Sequence, residues 1–91
     1  MIKVTQKGSK AYVTFTHKPE VADTVTLCGE WSDWNEEEMK MKKNGEFWVT
    51  KVLPSNSMYQ FGYSVDGTWQ CDDELECIDS PFGSQNSLLK L

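Results

Sequence analysis

Apolar and polar residues alternate with a period of two along most of the chain, and no window of about a dozen residues holds an apolar stripe at helical spacing. That alternation predicts an all-β fold. Ala11, Val13 and Phe15 share one face of a predicted strand whose other face is Tyr12, Thr14 and Thr16, and Lys18-Pro19-Glu20 ends it. Val25 and Leu27 alternate with Thr24, Thr26 and Cys28 in a second strand, stopped by Gly29. A third covers residues 46–53, entered through Asn44-Gly45, the strongest short hairpin signal in the sequence.

A fourth strand over residues 58–65 sets Tyr59, Phe61, Tyr63 and Val65 on its core side and Gln60, Gly62 and Ser64 on its wet side. Asp66-Gly67 is a second two-residue turn, of the kind that accepts positive φ, and it leads to a short strand carrying Trp69. Residues 72–86 read as a long acidic loop containing Pro81 and Gly83, before residues 87–91 close as a final strand. Short strands with frequent turns are the pattern of a two-layer antiparallel sandwich. With 91 residues there is material for one core, so residues 1–91 are expected to form a single domain.

Charge narrows the partners. Nine lysines, no arginine and 14 acidic residues give a net charge of -5, which removes both the phosphate-neutralising and the base-reading groups that nucleic-acid binding uses. No apolar run reaches the roughly 18 residues of a membrane span, and the N-terminal residues lack a signal-peptide apolar stretch, so a soluble cytoplasmic protein is expected. Cys28, Cys71 and Cys77 cannot all pair within one chain. That count suits a reducing compartment better than a disulfide scaffold; a Cys71–Cys77 bond is conceivable in geometry but is not the expected state.

Four tryptophans are a heavy load for so short a chain. Trp31 and Trp48 are expected to cap the core, whereas Trp34 lies in a polar turn-rich stretch and Trp69 follows a tight turn, so both should be at least partly wet. A sugar suits such a surface, because a glucose ring offers an apolar C–H face to an indole while its hydroxyls need amide partners, for which Gln60 and Asn86 are candidates. A ring covering about 100 Å² of one indole gains about 2.5 kcal/mol before ordering costs, so binding needs several contacts.

The run Val25-Thr26-Leu27-Cys28-Gly29-Glu30-Trp31-Ser32-Asp33-Trp34, the Leu53-Pro54 turn, Tyr59-Gln60-Phe61 leading to Val65-Asp66-Gly67-Thr68-Trp69, and Gly83-Ser84-Gln85-Asn86-Ser87 together resemble the family 48 carbohydrate-binding module. That module occurs in the β subunit of AMP-activated protein kinase and at the N-terminus of isoamylases and branching enzymes. The resemblance runs from about Ala11 to Leu91. It implies an immunoglobulin-like, early-set β-sandwich and an α-1,4-glucan ligand such as glycogen or starch. Carried over position by position, the family's stacking tryptophans fall on Trp34 and Trp69, its apolar loop residue on Phe82, and its polar loop contacts on Ser84 and Asn86. A lysine of the kinase modules corresponds to Gly62, so one sugar hydrogen-bond donor is lost, which implies weaker binding or compensation by Gln60 or Gln85. Phe82 in place of a leucine widens the apolar platform.

Catalysis has little support. A glycosidase needs two carboxylates across a cleft, and Asp72, Asp73, Glu74, Glu76 and Asp79 read instead as one solvated acidic face without the spacing of a calcium loop. His17, the only histidine, ends a strand with no motif around it, and Cys28 reads as core. The cysteines lack zinc spacing, so no metal and no cofactor are expected. The competing expectation is a protein-interaction module that docks on a glycogen-metabolising enzyme or a kinase-like partner.

Overall fold

The computed structural model describes residues 1–79 and 85–91. Two antiparallel sheets face one another. The first has the order β1 (Ile2–Lys7), β2 (Lys10–His17), β6 (Phe47–Pro54), β5 (Lys40–Met41). The second runs β4 (Glu37–Glu38), β3 (Val25–Gly29), β7 (Met58–Val65), β10 (Gln85–Lys90), β9 (Cys77–Asp79), with β8 (Thr68–Gln70) added on β7. A short 3-10 turn over Glu30–Ser32 follows β3. The expected β-sandwich is therefore present.

Alternation explains the layers. Ala11, Val13 and Phe15 of the first sheet meet Val25, Leu27, Phe61, Tyr63 and Leu89 of the second, all nearly inaccessible to water. Phe61 lies edge-on to both Phe15 and Tyr63. Where the chain crosses from one sheet to the other, β4 pairs with β3 and β5 with β6, and Met39 between them is buried in the core. Lys51 and Glu37, 2.7 Å apart, tie that seam between the sheets.

Both predicted hairpin turns form. Gly45 has φ 87°, and Lys42 N–H donates to the Glu46 carbonyl at 2.7 Å. Asp66 and Gly67, with φ 48° and 88°, make the turn with two positive φ values that matches strand twist. The Asp66 carboxylate accepts from the Thr24 and Asp23 backbone N–H groups at 2.8 and 3.0 Å; those bonds, Thr24's first, hold its pKa below the usual carboxylate value.

Four sequence expectations change. Strand β1 was not signalled, because Lys3, Thr5, Gln6 and Lys7 leave few apolar positions in it; pairing with β2 along its whole length forms it. The acidic loop contains a strand, β9, which pairs with β10. Cys71 and Cys77 are joined in a disulfide rather than free, enclosing residues 72–76 of that stretch. Asp72 is not part of a solvated face, being 2% exposed, and its carboxylate accepts from Tyr63 Oη at 2.7 Å. Its backbone N–H donates to Ser87 Oγ at 2.7 Å. Burial, reinforced by the Asp72 charge, pushes the Tyr63 phenol far above its ordinary pKa, so it stays a donor. His17 stacks on the Tyr63 ring at 4.4 Å and bonds Gln70 at 3.0 Å. Among the described residues no helix is long and apolar enough to cross a membrane.

Candidate functional site

The site lies on the outer side of the second sheet. Strand β7 lends one edge to β3; its other edge carries β10 along residues 58–61 and β8 along residues 63–65. Gly62 is the residue left between those two partners. It faces outward, because Phe61 and Tyr63 on either side of it are core.

Trp69, opposite Ser64 on β8, lays its indole flat over this gap. A Cβ added at Gly62 would collide with Cζ2, Cε2 and Cη2 of the Trp69 ring, so the missing side chain is the seat of the indole. The indole N–H donates to the Gln85 carbonyl at 2.8 Å, which fixes the ring's rotation and satisfies its only polar atom.

Trp34 reaches the same place from the turn after β3. Asp33 and Trp34 both adopt left-handed backbone, with φ 54° and 64°, and Trp34 N–H closes the turn on the Gly29 carbonyl at 2.9 Å. Successive non-glycine residues in that region are uncommon and cost energy, of the order of 1 kcal/mol each. Here they turn the Trp34 ring back toward Trp69. The ring centroids are 6.2 Å apart and the planes meet at 55°, with Trp34 40% exposed and Trp69 partly so. The two indoles thus share one surface and form an angled cradle.

Gln60 and Asn86 are brought together beside it. Asn86 Nδ2 donates to Gln60 Oε1 at 3.1 Å. Asn86 is 5% exposed while Gln60 is only partly covered, so the bond leaves Gln60 Nε2 as the more accessible amide end. Gln85 Nε2 donates to Asp79 Oδ1 at 3.1 Å and is committed to the β9–β10 pair. Phe82 and Ser84 lie outside the described residues.

Three participants were missed from sequence. Gly62 is more than the place of a lost lysine, being the floor under Trp69; a glycine in mid-strand between aromatic residues is the signal of a close approach. Glu30 places its carboxylate against the backbone N–H of Gln60. The disulfide sits beside Trp69 and Gln85, lining a shallow depression of about 360 Å³ with them. The other two tryptophans divide. Trp31 packs on Phe15, Phe61 and Tyr59 at 5.3–5.9 Å and caps the core as expected. Trp48 does not: it alternates with Phe47 and Val49 onto the outside of the first sheet, where Lys40 lies over its ring at 5.4 Å.

Chemically the surface offers area and amides. The Cys28 thiol, on the outward side of β3 but buried, is pushed up by that burial and is a poor nucleophile. His17 is engaged with Tyr63 and Gln70. Among the described residues no three His, Cys, Asp or Glu side chains converge as metal ligands.

Residues 11–91 match the family described as the glycogen recognition site of AMP-activated protein kinase. The chain is also 25% identical over 95 aligned positions to the SNF1-related protein kinase regulatory subunit beta-2 of Arabidopsis thaliana, an alignment covering 94% of this chain and 32% of that subunit. The chain therefore spans about a third of the length of this curated relative.

Proposed function

We propose, from the premise that this chain belongs to the family of the glycogen recognition site of AMP-activated protein kinase, that it binds α-1,4-glucan without cleaving it, holding the sugar between Trp34 and Trp69. The observation that carries this reading is the indole pair: two rings 6.2 Å apart, angled at 55°, on the outer face of one sheet. Successive glucoses of an α-1,4 chain turn relative to one another, and two platforms inclined to each other suit a curved ligand better than one plane does.

Each partner has a role of its own in this reading. Trp69, immobilised by Gly62 and the Gln85 carbonyl, is the fixed platform. Trp34 is the more open one. Gln60 supplies amide hydrogen bonds to sugar hydroxyls, and Asn86 orients Gln60 from beneath. Phe82 and Ser84 are the further positions that the family pattern assigns to glucan contact. The similarity to a kinase regulatory subunit supports a targeting role, in which glucan binding brings an attached or associated enzyme to the polymer.

Retention on a glycogen affinity gel tests the site. Trp34→Ala and Trp69→Ala are each expected to weaken retention at least tenfold, equivalent to about 1.4 kcal/mol or more, with the melting transition of each variant still cooperative. Retention of both variants at wild-type strength would overturn the assignment. An amide chemical-shift titration with maltoheptaose is expected to move Trp34, Gln60, Gly62 and Trp69 together.

A further inference from the structure

The outside of the first sheet carries a charge pattern unrelated to the glucan face. Its four strands, β1, β2, β5 and β6, contain no aspartate or glutamate at all, although the whole chain has 14 acidic residues and a net charge of -5. The register puts Lys3 opposite Thr14, Thr5 opposite Tyr12, Lys7 opposite Lys10, and Lys40 opposite Trp48. Lys10, Tyr12, Thr14 and Trp48 alternate with core residues, and their directly paired partners share their outer face. Among the described residues no carboxylate lies within ion-pair distance of Lys3, Lys7, Lys10 or Lys40.

Two of those lysines instead cover aromatic rings, Lys7 over Tyr12 at 5.6 Å and Lys40 over Trp48 at 5.4 Å. Between the rings run a Thr14–Thr50 hydroxyl pair at 3.0 Å and Val52, 55% exposed. We infer that this basic, aromatic sheet face is a docking surface for an acidic polypeptide segment, on the side of the sandwich away from the paired tryptophans. The inference stands apart from the glucan reading.

Charge complementarity selects the occupant. Four unneutralised ammonium groups on one face of an acidic protein attract carboxylates, while the acidic remainder of the molecule repels a mispositioned partner. Tyr, Trp and threonine hydroxyls make a surface of the composition found at protein interfaces, with apolar area and hydrogen-bonding groups interspersed. A sugar is disfavoured because each ring already carries an ammonium group. A lipid surface is disfavoured because the rings lie under lysines in a flat sheet, with no apolar side chain prominent enough to insert except Val52. The face measures roughly 20 by 15 Å from strand rise and spacing, small beside a standard interface, so the contact is weak and salt-dependent.

The test is an amide chemical-shift titration of the whole chain with a twelve-residue peptide of repeating Glu-Glu-Leu, its Gln-Gln-Leu counterpart serving as control. The acidic peptide is expected to shift Lys7, Tyr12, Thr14, Lys40, Trp48 and Val52, and to lose at least tenfold in affinity between low and physiological salt. The double variant Lys7→Glu/Lys40→Glu is expected to bind at least tenfold more weakly while keeping wild-type glycogen retention. A Lys18→Glu/Lys90→Glu variant, with the same change of net charge off this face, is expected to bind the peptide as the wild type does. Absence of shifts, shifts confined to other faces, equal weakening by both double variants, or a response to phosphatidylserine vesicles but not to the peptide would each overturn the proposal.

Discussion

Gly62 shows how a side chain that is absent can position one that is present. The kinase modules that the sequence resembles carry a lysine at the corresponding position, and restoring that lysine looks like a route to tighter sugar binding. The packing argues the reverse. Any Cβ at residue 62 enters the space of the Trp69 six-membered ring, and relieving such a clash typically costs about 1–3 kcal/mol. The ring is held by its bond to the Gln85 carbonyl, so it yields only by breaking that contact and leaving the cradle. Gly62→Lys is therefore expected to weaken glycogen retention and to shift tryptophan fluorescence toward that of a more exposed indole. Tighter retention by this variant would show that the ring relocates without loss.

At the scale of elements, the segment between β8 and β9 is held by covalent and hydrogen-bonded anchors together. The disulfide closes Cys71 to Cys77, and Asp72 within it is pinned to Tyr63 and Ser87. Closing so short a loop removes about 2 kcal/mol of entropy from the unfolded chain on the loop-closure account. Reduction with a phosphine is accordingly expected to lower the melting temperature by about 10 °C for a domain of this size. A Cys71→Ser/Cys77→Ser variant should melt at the reduced protein's temperature, with no further response to reductant. Equal melting of oxidised and reduced protein would show that β9 is held by its pairing with β10 alone.

For the molecule as a whole, a polar junction besides the Lys51–Glu37 pair joins the two sheets where His17 of β2 meets Tyr63 of β7. His17 belongs to the first sheet and Tyr63 to the second; they stack, and Tyr63 passes its hydroxyl on to buried Asp72. Tyr63→Phe keeps the ring packing but removes a donor from a buried carboxylate, a loss of about 1–3 kcal/mol. Urea unfolding followed by circular dichroism is expected to give a midpoint lowered by that amount with an unchanged slope. An unchanged midpoint would mean that Asp72 is adequately served by its other contacts. Glucan retention should survive, since this junction lies among core and sheet-end residues rather than under the indoles.

Period-two alternation was enough to determine the all-β class, the core faces of β2, β3 and β7, and both tight turns, because burial against a second sheet demands one apolar face and each turn demands residues that tolerate positive φ. The same local reading pointed to Trp34 and Trp69, since each lies in or just after a polar turn. Tertiary structure alone decided what those local signals did not contain. Trp48 went outward because register with Thr16 and Lys40 puts it on the open side of the first sheet. Asp72 went inward because Tyr63 and Ser87, distant in sequence, offer it hydrogen bonds. The angle between the indoles depends on where β8 and β10 share an edge of β7, and the role of Gly62 is visible only once an indole from another strand lies on it. Local pattern encodes which face of a strand is wet; it does not encode which distant group will meet that face.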